Sequence, residues 1–280
     1  MSVQNFIPKV WAANLLESKE KSLVFAKVCN REYEGEISGL GDSVKINTLG
    51  DITINDYVKD TDMVFQTLDS ASQTLLINIQ KSFSFSLDNI DKAQANAPLM
   101  QKAMARAAYK LNDALDTAIG LLYSNADSGN AITDSTLDSA TIISVFSMAE
   151  QKMLEQNVDG KIWAVIPPWV RQKMVLAGII RATDNSAMIK KGFMGEFMGF
   201  DIYVSNNVYT TGTAPAFTSK VMFGSYDAIN LAEQIVDIDG GKKEKQMGDY
   251  MKGLHVYGMK VTIPKELGVI TATYAAETAI

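Results

Sequence analysis

From Leu75 to Leu87 apolar and polar residues alternate, with Leu75, Ile77, Ile79, Phe83, Phe85 and Leu87 sharing one side, a pattern that predicts one long strand with a single buried face. At strand rise it spans roughly 43 Å, about twice the usual length. After Pro98 the period changes. Met100, Ala103, Met104, Ala107, Leu111, Ala114, Leu115, Ala118 and Leu122 recur at three- and four-residue steps, with Lys102, Arg106, Asp113 and Asp116 on the other side. That spacing predicts an amphipathic helix from Pro98 to Tyr123, roughly 39 Å long at 1.5 Å per residue. Its many alanines point to close approach over a sheet. Neither element fits inside a compact enzyme core, and elements that outreach their own domain bury apolar faces on neighbouring copies. The chain therefore reads first as a building block.

The flanking patterns are less regular. Residues 1–35 carry Phe6, Ile7, Val10, Trp11, Leu15 and Leu16, then a charged stretch from Glu17 to Lys21, then Leu23, Val24, Val28 and Cys29. They read as an arm with a short amphipathic helix, for which Trp11 is the expected anchor on the chain's own body or on a neighbour. From Ile37 to Leu87 strand character dominates, punctuated by Gly39, Gly41 and Gly50, and the polar tip from Asn55 to Asp62 predicts a long hairpin that reaches outward. Ser124 to Asp134 reads as a loop. Residues 137–235 alternate in type, with helices expected at Leu137–Leu154 and Pro168–Leu176 and strands at Ile162–Ile166, Gly199–Val204 and Val221–Leu231. Gly212–Ser219 reads as a loop and Gly240–Lys245 as a turn. The last strands, Leu254–Ile263 and Val269–Tyr274, are expected to return to the long helix and make the first domain discontinuous. The expected class is α+β.

Composition narrows the functions. With 280 residues, 47% of them hydrophobic, the chain can bury a large core. No apolar run reaches membrane-spanning length, and Met1–Asn5 lacks the layout of a secretory leader. A net charge of -6 and a pI near 5.0 argue against general affinity for nucleic acid, but a container holding it by confinement stays possible.

Candidate chemistry is sparse. His255 is the only histidine and sits in the alternating run Leu254-His255-Val256-Tyr257; with no nucleophile elbow elsewhere it reads as structural. The lone Cys29 reads as a small half-buried residue. Gly192, Gly195 and Gly199 are spaced wrongly for a phosphate cradle. Asp237-Ile238-Asp239-Gly240 and the aspartates of the hairpin tip lack the remaining ligands of a calcium loop. No catalytic residue, metal or cofactor is expected. A carboxylate-dependent hydrolase stays open as an alternative from another class, because the many acidic residues offer many pairs.

Several local sequences, in their order, resemble tailed-bacteriophage major capsid (coat) proteins. They are Phe6-Ile7-Pro8-Lys9-Val10-Trp11-Ala12, Asn30-Arg31-Glu32-Tyr33-Glu34-Gly35, Gly41-Asp42-Ser43-Val44-Lys45-Ile46, Trp163-Ala164-Val165-Ile166-Pro167-Pro168 and Gly199-Phe200-Asp201-Ile202-Tyr203-Val204-Ser205-Asn206. The resemblance implies the shared capsid (Johnson) fold. It implies an N-terminal arm at 1–35, an extended β-hairpin loop with flanking strands at 36–90, a peripheral domain with the spine helix at 91–135 plus 241–280, and an axial α/β domain at 136–240. It also implies self-assembly into pentamers and hexamers of an icosahedral shell around double-stranded DNA, without specific binding to that DNA and with no membrane partner. Trp11, Ile54, Tyr57 and Lys59 become the candidate subunit contacts; Lys59 lies where some members crosslink, but no matching Asn and Glu partners are found. Because the arm begins at once, a separate scaffolding protein or an already processed chain is expected, together with a portal. The expected location is the virion, after assembly in the host cytoplasm. The nearest rival is an encapsulin-like compartment of the same fold that encloses protein cargo.

Overall fold

The computed structural model describes residues 23–33, 43–49, 54, 56, 59, 70–88, 99–158, 160–178, 193–213, 216–243 and 248–274. In chain order the described elements begin with helix α1 (Phe25–Val28), strands β1 (Ser43–Leu49), β2 (Ser70–Leu76) and β3 (Ile79–Asp88), and the long helix α2 (Leu99–Gly120). Next come β4 (Ala131–Leu137), α3 (Ile142–Glu155), β5 (Ile162–Ile166), α4 (Pro168–Leu176), β6 (Phe193–Phe197) and β7 (Phe200–Val204). The chain closes with β8 (Thr210–Thr213), β9 (Ala216–Ser225), β10 (Ile229–Lys242), β11 (Gly248–Val261) and β12 (Leu267–Tyr274). The mixture is α+β, as the sequence predicts.

A seven-stranded sheet runs β4-β12-β9-β5-β7-β6, with β8 on β9. Its central strand β5, Ile-Trp-Ala-Val-Ile, is buried at every residue, which is why it reads as a continuous apolar run. Ile162, Ala164 and Ile166 face a cluster with Phe146, Ala149 and Met153 of α3 and Val170 and Met174 of α4. Trp163 and Val165 face the opposite way, toward Leu115 and Ile119 of α2 and Phe25 and Val28 of α1. One strand thus joins two cores. Burying its side chains removes apolar surface at about 25 cal/mol per Å², and the Trp163 Nε1–H donates to the Ser225 carbonyl at 2.8 Å, so the indole is dry but satisfied.

The second sheet is three-stranded, β10-β11-β3, and antiparallel throughout. Tyr257, Leu231 and Ile229 point toward α2. Ala232 and Val256 point the other way, onto Val44, Ile46, Leu75 and Ile77 of the β1–β2 ribbon and its exit. A Cβ at Gly258 would collide with the Leu76 carbonyl oxygen, so glycine there lets the chain cross directly over β11.

Several expectations need correction. The single long strand is two: β2 ends at Leu76 and pairs with β1, whereas β3 starts at Ile79 and pairs with β11. Alternation runs unbroken through Leu75, Ile77 and Ile79 because side-chain period reports which way residues face, not which strand accepts their hydrogen bonds. Asp116, expected on the solvent side of α2, is fully buried. The loop expected at 124–134 yields to β4 from Ala131, and α3 starts at Ile142 rather than Leu137. Its start is set by Asp138, whose carboxylate accepts from the Ala140 and Thr141 amides at 2.9 and 2.8 Å; those bonds hold its carboxyl below the ordinary range. Part of the expected 212–219 loop is the β8–β9 ladder, and β10 continues to Lys242 through the expected turn. Strand pairing places β12 in the seven-stranded sheet and β10 in the three-stranded one.

Candidate functional site

Of the candidate contact residues, Ile54 and Lys59 are exposed, Ile54 at 94%. Trp11 and Tyr57 lie outside the described residues. An isoleucine held in water gains by being covered, so Ile54 keeps the character expected of a contact. Sequence reasoning missed a second exposed apolar set: Ile143, Met148 and Leu154 on α3, and Val175 and Leu176 at the end of α4. Both helices cover the same face of the large sheet. The missed signal was a helix apolar on more than the side its sheet needs.

The titratable residues gather instead at a joint where residues 23–33 cross α2 and meet β10. Asp116 Oδ1 accepts from the backbone amides of Val24 and Ala26 at 3.0 and 3.3 Å, and Oδ2 accepts from Asn207 Nδ2 at 3.0 Å. The same Asn207 amide group donates to Asp113 Oδ1 at 3.0 Å. Burial raises the Asp116 carboxyl, and these donors work against the rise. One carboxylate therefore ties three segments: residues 24–26, the helix and the loop after β7. Its position beside Leu115 and three residues before Ile119, both buried, was the available sign that this aspartate faces inward.

Further along, the chain forms an isolated parallel bridge, the Asn30 amide donating to the Ile229 carbonyl at 2.8 Å and the Leu231 amide to the Asn30 carbonyl at 2.9 Å. Arg31 Nη1 then lies 2.6 Å from Glu233 Oε1. His255 Nε2 sits 3.3 Å from Glu233 Oε2. Hydrogen bonding from His255 and the Arg31 charge hold the Glu233 carboxyl below its usual range. Nearby, burial pushes the Cys29 thiol up to about 12, so it is a neutral packing group that donates to the Phe25 carbonyl at 3.2 Å. Arg31, Asn207 and Glu233 carried no spacing signal of their own.

This arrangement fastens rather than reacts. Asp113 and Asp116 are a close carboxylate pair bridged by one amide, but Asp116 is out of reach of any substrate. Asp239 is committed to Lys252 at 2.9 Å, which holds its carboxyl low. Among the described residues no group of three or more His, Cys, Asp or Glu is disposed to hold a metal, and no described helix is long and apolar enough to cross a membrane.

No protein-family model matches the chain, and no curated protein matches it by sequence. Solved structures do match. A chain from Mycobacterium phage Che8 is similar over 96% of this chain and 98% of its own, at 26% identity and a TM-score of 0.75. A chain from the capsid of Cyanophage P-SCSP1u is similar over 99% and 95%, at 13% identity and a TM-score of 0.73. A third, from the capsid of Ralstonia phage GP4, covers 90% and 88% at 14% identity and a TM-score of 0.66. This chain therefore has the fold of phage capsid chains, the family that its motifs resemble.

Proposed function

We propose that this chain is a major capsid protein, whose copies form pentamers and hexamers that close an icosahedral shell around the double-stranded DNA of a tailed phage. The observation that carries the reading is the end-to-end match, 99% of this chain against 95% of a phage capsid chain. A net charge of -6 suits a wall that encloses DNA without gripping it. Residues 1–35 serve as the arm and 36–90 as the extended loop. The peripheral unit is α2 with the β3–β10–β11 sheet, and the axial unit is the seven-stranded sheet with α3 and α4. Trp11, Ile54, Tyr57 and Lys59 contact neighbouring copies, as do the exposed apolar residues of α3. A scaffolding protein and a portal act as partners during assembly in the host cytoplasm, and the product is the virion.

Assembly is multivalent. Each copy makes several modest contacts, and closure multiplies them, so single interfaces stay weak enough for errors to be corrected. Electron microscopy of the wild-type chain and of a deletion of residues 50–62, with scaffold supplied, tests the reading. Closed shells from the wild type and folded, unassembled subunits from the deletion are expected. A wild-type chain that stays monomeric at every concentration sinks the capsid reading; normal particles from the deletion sink the role of the loop.

A further inference from the structure

Glu233 on β10 holds two basic side chains from different parts of the chain. Arg31 approaches Oε1 at 2.6 Å and His255 approaches Oε2 at 3.3 Å. The two partners differ in exposure: the Arg31 side chain is 41% exposed, that of His255 only 4%. A carboxylate only accepts, so in the neutral ring Nε2 carries the proton and Nδ1 is a bare acceptor. Among the described residues nothing pairs with His255 Nδ1, nor with the hydroxyl of Tyr257, whose ring centroid lies 5.3 Å away.

We propose that Arg31, Glu233 and His255 form an acid-sensitive clasp, in which protonation of His255 breaks the Arg31–Glu233 ion pair and opens the Asn30 bridge to β10, while Arg31 Nε keeps its bond to the Ala26 carbonyl at 3.3 Å. Taking up the proton sets a second full cation on one carboxylate. It also turns Nδ1 into a donor in a buried site where, among the described residues, nothing pairs with it, and such a group cannot be rehydrated in place. The strain leaves by the exposed end. Arg31 regains water when it lets go, and an exposed ion pair is worth little, whereas the imidazolium, held in the sheet, needs the carboxylate to itself.

The surrounding charges agree with that direction. Lys81 stands opposite His255 across the β3–β11 ladder and adds positive charge. Cys29, on the arm base, stays neutral. Tyr257, on the same strand, is raised by burial and neutral as well. Asp116 on α2 is engaged with the amides of residues 24 and 26 and with Asn207. Asp227 is met by Asn30 Nδ2 at 3.2 Å, a bond exposed to water. Acid thus loosens residues 30–31 and leaves residues 24–26 seated, a hinge between two fastenings of one segment. The proposal goes beyond the shell reading and does not depend on it.

Amide exchange followed by NMR on the full unassembled chain tests the clasp, with the single histidine resonance titrated in the same sample. As the sample is taken from neutral pH into acid, the protection of the Asn30 and Leu231 amides should fall by about threefold to fivefold, in step with protonation of the histidine resonance, while those of Val24 and Ala26 hold. His255→Gln, which still donates to Glu233 but takes up no proton, should show no such step. If that variant does not fold, Arg31→Gln should give lower protection that is flat across the same range. Unchanged protection through the His255 titration, or an equal step in either variant, overturns the proposal.

Discussion

β5 and β3 are both strands with apolar residues to bury, yet their fates differ. β5 is buried at every position because α3 and α4 cover one face of its sheet and α2 with α1 covers the other. β3 alternates between exposed Gln80, Ser82, Ser84 and Ser86 and half-buried Ile79, Phe83 and Phe85. The large sheet is finished by its own chain. The small sheet is finished only in part, and its aromatic row, with Phe83 and Phe85 stacked at 6.1 Å, keeps surface in reserve. On the proposed capsid reading, stability is concentrated in one region and association in another.

Three substitutions probe that contrast. The largest effect belongs to Trp163→Ala, which empties the core between the strand that joins the two cores and α2 and removes the indole donor to the Ser225 carbonyl; chemical denaturation should show a loss of about 3–5 kcal/mol. A loss as small as that of a surface change would mean the two cores do not depend on the shared strand. Next is Asp116→Ala, which strips the acceptor from Val24, Ala26 and Asn207 and should cost about 2 kcal/mol at neutral pH. Because burial raises this carboxyl in the fold, its linked stabilisation is complete below its ordinary value and is lost as pH rises through the raised one. The gap between wild type and Asp116→Ala should therefore widen in acid. A gap that narrows in acid would show that the donors, not burial, dominate the site.

The smallest stability effect is expected from Phe83→Ser. The ring lies on Gly253 of β11, where any Cβ would collide with it, and a half-buried cross-strand contact of this kind is worth roughly 0.2–1 kcal/mol. Calorimetry should show a fold close to wild type while assembly, followed by light scattering, is impaired. Full assembly would move the aromatic row from association to mere folding.

What was legible in the sequence was legible through period. β5, α4 and β7 appear at or within a residue of their expected bounds, because a buried strand and a proline-led helix are written in consecutive residues. The site was harder. Ile54, a candidate only through the resemblance, is exposed. Asp116 looked like a surface acid because charge on a helix is normally solvated; three donors from distant segments overrode that rule.

By itself the sequence determined element types, the α+β class, the absence of a nucleophile–histidine motif and, through the order of its short motifs, the architecture. Each follows from neighbours along the chain, where dihedral preference and side-chain period act. Tertiary structure alone decided that the long alternating run splits between two ladders, that β12 joins the large sheet while β10 joins the small one, and that Asp116, Glu233 and His255 fasten the arm base. Those outcomes depend on which segment satisfies a backbone edge or a buried charge, and the partners stand up to 202 positions apart, as Arg31 does from Glu233, where no local pattern records them.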